Sequence, residues 1–125
     1  MTREEEEKLY YERLNNELRE DLGGRLGTDT KVKHYRYRPD GEILYSNTVK
    51  ISKSVINNIG EIFEEYLPYL IPMSYMTEQQ QIEYEKLKKA DKPWDIVKWL
   101  NKNHFDYNGL IEKGLAINAS TLNIY

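Results

Sequence analysis

Cysteine is absent from this chain of 125 residues. That excludes a disulfide framework, a thiolate nucleophile and a sulfur-ligated zinc site, and suits a reducing compartment. Proline is scarce, at four residues, and glycine reaches only seven, so the composition is neither collagen-like nor that of a flexible linker. Long apolar runs are missing as well, and none approaches the length of a membrane-spanning helix. The opening Met1-Thr2-Arg3-Glu4-Glu5-Glu6-Glu7 is acidic, the opposite of a secretory leader. These features make the cytoplasm the expected location. What is there, 39% hydrophobic and 31% charged residues, is the composition of a globular chain, and the length predicts one domain over 1–125.

Positive charge is also in short supply. The net charge of −3 gives no global attraction to nucleic acid, so any electrostatic argument must be local. Residues 1–22 hold eight acids against four bases, whereas Lys31, Lys33, Arg36 and Arg38 fall in one short stretch without an acid.

Thr2 followed three residues later by Glu5 is a capping box. Tyr11, Leu14, Leu18 and Leu22 then recur at helical spacing until Gly23-Gly24. The pattern predicts a helix over 3–22 that either packs on the domain or projects as an arm able to pair with another chain. Two strand-like runs flank Pro39-Asp40-Gly41 and predict a hairpin over 31–51. With Gly41 in a left-handed position, Arg38 opposes Glu42, Tyr37 opposes Ile43 and Tyr35 opposes Tyr45. That register puts Tyr35, Tyr37, Ile43 and Tyr45 on the core face and His34, Arg36 and Arg38 on the other.

Residues 54–117 read as mainly helical. Val55, Ile59, Ile62, Phe63 and Tyr66 follow helical spacing, with Ser54 as N-cap and Pro68 as the stop. Pro68 to Met76 reads as an apolar loop. Thr77 and Gln80 form a second capping box for a polar helix ending near Lys89, and Pro93 opens another that carries Trp94, Ile96, Val97, Trp99 and Leu100. Asp106 is placed to cap a short helix closed by Gly114 and Leu115 in a Schellman motif. After it, 118–125 either adds a strand or stays loose. The expected fold class is α+β: an N-terminal helix, a β-hairpin, then several helices on a small antiparallel sheet.

No motif for covalent catalysis is present. His34 and His104 lack the spacing that brings metal ligands onto one face, and Gly23-Gly24-Arg25-Leu26-Gly27 follows a helix rather than a strand and lacks the lysine of a phosphate loop. The expectation is a chain without catalytic residues, cofactor or metal. Glu61, Glu64 and Glu65 read as a solvated helix face. Two binding chemistries remain. Tyr69, Met73, Tyr75 and Met76 are adaptable side chains of the kind found at protein interfaces, and with Glu4, Glu5, Glu6 and Glu7 they are the candidate protein-binding residues. Lys31, Lys33, Arg36 and Arg38, interleaved with Tyr35 and Tyr37, are the candidates for RNA or single-stranded nucleic acid.

Two segments, Tyr66-Leu-Pro-Tyr-Leu-Ile-Pro-Met-Ser-Tyr-Met-Thr77 and Trp99-Leu-Asn-Lys-Asn-His-Phe-Asp-Tyr-Asn-Gly-Leu-Ile-Glu-Lys-Gly-Leu-Ala116, carry a resemblance. They are similar to segments of small uncharacterised proteins of gut Bacteroidetes bacteria, their prophages and phages. The resemblance covers the C-terminal half and brings no functional residue with it. It implies a setting: a phage or prophage accessory protein that docks on, and inhibits, a host protein such as a defence component. The alternatives are the nucleic-acid binder and a structural component that self-associates through its N-terminal helix.

Overall fold

The computed structural model describes residues 2–125. Its elements run α1 (Arg3–Gly24), β1 (Lys31–Tyr37), β2 (Ile43–Lys50), α2 (Lys53–Asn58), β3 (Glu64–Pro72), a 3-10 turn (Met73–Tyr75), α3 (Glu78–Lys89), α4 (Pro93–Lys102), β4 (Phe105–Asp106) and β5 (Ile117–Asn118). The fold is α+β.

Helix α1 starts where the capping residue puts it: Thr2 Oγ1 accepts the Glu5 N–H at 3.2 Å, and three acids in the first turn face the positive end of the dipole. Its apolar stripe engages the domain only at the C-terminal end. Leu18 and Leu22 are buried, Leu14 is half-buried, and every residue from Thr2 to Arg13 is exposed. At a rise of about 1.5 Å per residue, the exposed turns extend roughly 15 Å beyond the packed portion.

The sheet order is β2-β1-β3-β4, with β5 also pairing β3. It is mixed rather than antiparallel throughout, because β4 and β5 both run parallel to β3. At the hairpin turn Gly41 has φ +90°, Arg38 N–H donates to Glu42 O at 2.8 Å and Tyr37 opposes Ile43. A bulge between Arg36 and Tyr37 then shifts the register, so Tyr45 opposes Arg36 and Tyr35 opposes Ser46. The expected pairing of Tyr35 with Tyr45 is therefore corrected, because one extra residue in a strand flips every later side chain. The faces are reversed as well. Val32, fully buried, packs with Leu18, Leu22, Val55, Tyr66 and Leu70, so the even positions of β1 face the helices. Lys33, Tyr35 and Tyr37 lie on the open face.

The largest correction falls on 54–76. Helix α2 is a short one, capped by Ser52 rather than Ser54 and ended by Asn58. Gly60 at φ +90° and Phe63 at φ +67° turn the chain into β3, which occupies the expected end of the helix and much of the expected loop. Spacing misleads here because a strand buried on both faces shows no alternation, and its apolar residues fit a helical template by chance. Pro68 is tolerated inside this strand. The odd residues of β1 point their N–H groups at β3, as Tyr37 does to Phe63 O at 2.8 Å. Pro68 opposes the even residue Val32, so β1 requires no donor from it.

Both halves of the capping box at α3 form: Gln80 N–H donates to Thr77 Oγ1 at 3.1 Å and Thr77 N–H to Gln80 Oε1 at 2.9 Å. Asp106 accepts from Leu110 and Ile111 N–H at 2.8 and 3.0 Å. Leu115 N–H then donates to Leu110 O and Gly114 N–H to Ile111 O, the bond pair of a Schellman motif, although 107–113 is a series of turns rather than a helix. The tail adds β5 beside β3. Among the described residues no helix is long and apolar enough to cross a membrane.

Candidate protein-docking surface

A groove of about 410 Å³ opens where α1 leaves the domain, between that helix, the Ile59–Leu67 segment and the Gly114–Leu115 turn. The floor is apolar, from Tyr11, Leu14, Leu18, Ile59 and Leu115, and Glu61 and Glu64 stand along one wall, whereas the Glu65 side chain turns to the open sheet face with Tyr37.

The wall is fixed to the helix. Arg19 donates through Nη2 to Ile59 O and through Nη1 to Asn16 Oδ1. A Cβ at Gly60 would lie 2.9 Å from Arg19 Nη2 and 3.2 Å from Asn15 Nδ2, so a larger residue there would displace the ends of both side chains as well as strain a backbone of positive φ. Beyond Gly60, Ile62 and Phe63 are 77% and 47% exposed. A phenylalanine in the left-handed region is held there by its surroundings, here by the Tyr37 bond to its carbonyl. The loop thus keeps two apolar side chains exposed, next in the chain to the groove-lining Glu61 and Glu64.

The three carboxylates differ in their partners. Glu64 lies 3.8 Å from both Arg36 Nε and His34 Nε2. Glu65 accepts the Tyr37 hydroxyl at 2.7 Å, and that bond, with burial, pushes the phenol up to about 12. The Tyr37 hydroxyl therefore remains the donor in this bond. Glu61 has no ion pair among the described residues. On the opposite side Lys113 is held by Glu17 at 2.9 Å. The groove is consequently acidic as well as apolar.

Helical geometry extends it. Residues 4, 7, 11, 14, 15 and 18 share one face of α1 at the three-to-four spacing, so Glu4 and Glu7 stand above Tyr11 on the groove side. Glu5 and Glu6 point elsewhere.

Among the other sequence candidates, Tyr69 is buried at 6% within β3 and is corrected as a docking residue. Met73 and Met76 are half-buried beside the exposed Tyr75 on the 3-10 turn. The basic residues are not brought together. Lys31 and Lys33 belong to the open sheet face, whereas Arg36 points to the helical side against Glu64 and Arg38 pairs with Glu42 at 3.3 Å. Lys31 Nζ also donates to Ile124 O. Lys33 alone of the four has neither an ion pair nor a hydrogen bond among the described residues, lying 5.8 Å from the Tyr35 ring centroid. Sequence reasoning missed Ile62 and Phe63 by assigning them to a helix. The available signal was Gly60, a breaker inside the helical pattern.

No group of three or more potential metal ligands occurs among the described residues. Comparison with protein-family models, with curated proteins and with solved structures finds nothing that matches this chain.

Proposed function

We propose that this chain is a non-enzymatic protein-binding module, acting by occupying the surface of another protein through the exposed part of α1 and the groove at its base. The observation that supports this reading is the use of α1. Leu9, Tyr10 and Tyr11 are 47%, 53% and 62% exposed, on turns that contribute nothing to the core. Exposed apolar side chains grouped with acids on a protruding helix suit recognition better than stability. Following the resemblance of the C-terminal half, the partner is a host protein, and the setting is a phage or prophage accessory role in which docking inhibits that host factor.

The test is a tagged pull-down from lysate of the bacterial host, with and without nuclease, using the wild-type chain and a variant with lysine at positions 4 to 7. The expected result is one discrete protein that survives nuclease and is lost from the variant. Retention by a variant of unchanged melting temperature, or loss of every partner on nuclease treatment, would sink the reading.

A further inference from the structure

We infer that the groove beside α1 takes a short basic amphipathic segment of the partner, its apolar side chain seated against Tyr11, Leu14 and Leu115 and its cations against Glu61, Glu4 and Glu7. The inference rests on the protein-binding reading and adds the chemistry of what is bound.

Three observations select this occupant. The floor is apolar but narrow, about the volume for a few side chains rather than a helix face. The wall carries Glu61, which has no cationic partner among the described residues, while Glu64 lies 3.8 Å from Arg36 and the groove-lining Lys113 is held by Glu17. Glu4 and Glu7 continue the same charge along the helix face above Tyr11, so a segment aligned with α1 meets carboxylates along its length. Lys8 on that face and Arg3, 3.6 Å from Glu7, offset part of the charge and leave the excess acidic. An acidic segment would face repulsion from Glu61, Glu4 and Glu7, and a purely apolar one would leave Glu61 desolvated without a partner. Outside the groove, Ile62 and Phe63 offer exposed contact area without a change of backbone, because the Arg19 bond to Ile59 O already holds the loop. Such a preformed site avoids part of the ordering cost of association.

The experiment uses the full chain and a fluorescein-labelled short peptide of alternating leucine and lysine, read by anisotropy, with a leucine and glutamate counterpart as comparison. Two paired variants decide it. Glu4→Lys with Glu7→Lys alters the groove side of α1, whereas Glu5→Lys with Glu6→Lys makes the same change in net charge on other faces. The first pair should weaken binding of the basic probe about tenfold or more, and the second should leave it within about twofold, because local contact rather than total charge governs affinity. Tyr11→Ser, at a residue too exposed to matter for folding, should also weaken it. Equal losses in both pairs, no binding of the basic probe, or equal binding of the acidic one would overturn the inference. These outcomes are separate from the pull-down: a host protein retained equally by both paired variants leaves the binding-module reading standing and removes the groove, while probe binding in the expected pattern supports the groove whatever the lysate yields.

Discussion

Arg25 and Asp21, one turn apart at the end of α1, form an ion pair with side chains 0% and 1% exposed. Around them Arg25 Nη2 donates to Phe105 O at 2.7 Å, Asn108 Nδ2 donates to Asp21 at 2.6 Å and the Tyr107 ring lies 5.1 Å from the guanidinium. Asn101, buried nearby, donates to Gly24 O at 2.9 Å and accepts the Tyr107 hydroxyl at 2.7 Å. This polar cluster ties the C-terminus of α1 to the 101–108 segment, and thereby anchors the arm.

Removing one partner of that pair should be costly. Asp21→Ala leaves a guanidinium buried without its counter-charge, and should lower the unfolding free energy by about 3–5 kcal/mol, measured by denaturant titration. Replacing the pair together, with Asp21→Leu and Arg25→Met, should cost clearly less than Asp21→Ala alone, because no charge is then stranded. Equal costs would show that the charge is not the source of the penalty.

His104 sets an acid limit. Burial, followed by the nearby Arg25 charge, lowers its imidazole to about 4, and the ring stacks on Tyr125 at 3.7 Å. The native ring is neutral while the unfolded ring titrates near 6.5, so between those values the unfolded chain binds more protons. The contribution is present in full above about pH 6.5 and is lost as the pH falls towards 4. The His104 resonance should titrate near 4 by NMR. His104→Asn, which suits the left-handed backbone at φ +63°, should flatten the acid limb of the melting temperature between pH 6.5 and 4.

Phe63 should show stability and binding moving in opposite directions. Phe63→Asn relieves a left-handed conformation at a largely exposed side chain, and should raise stability by up to about 1 kcal/mol while weakening the basic probe. Gly60→Ala should instead cost about 1–3 kcal/mol, since its methyl meets Arg19 and Asn15 on a backbone of positive φ. Thermal denaturation of both variants checks the pair.

The divided basic residues make a prediction about nucleic acid. With only Lys33 free of internal partners, affinity for a single-stranded oligonucleotide should be weak and fall with salt at a logarithmic slope of about −0.7 or shallower. A slope near −3 would mean that all four cations reach phosphates, and would favour the nucleic-acid reading.

Local chemistry was sufficient for much of the fold. Thr2, Thr77 and Pro93 mark helix starts because capping and a fixed proline φ act within a few residues, and Gly41 fixes the hairpin turn for the same reason. Gly114 with Leu115 closes its turn through two short-range backbone bonds. The α+β class followed from these signals together with hydrophobic spacing over α1 and the hairpin.

The remainder depended on contacts between distant parts of the chain. Tyr66 to Pro72 became a strand because β1, β4 and β5 complete its hydrogen bonds, which no spacing within the segment records. Burial of Val32 in the core put the even face of β1 against the helices, placing Tyr35 and Tyr37 opposite to the expected side, and strand alternation divided the basic residues between the two faces. Glu4 to Glu7 were visible as acids in the sequence, but only the placement of α1 against Ile59 to Leu67 separates the pair above the groove from the pair beside it. Composition and capping determined the elements; burial and backbone satisfaction across long separations determined their partners, because those free energies arise only when the assembled chain excludes water.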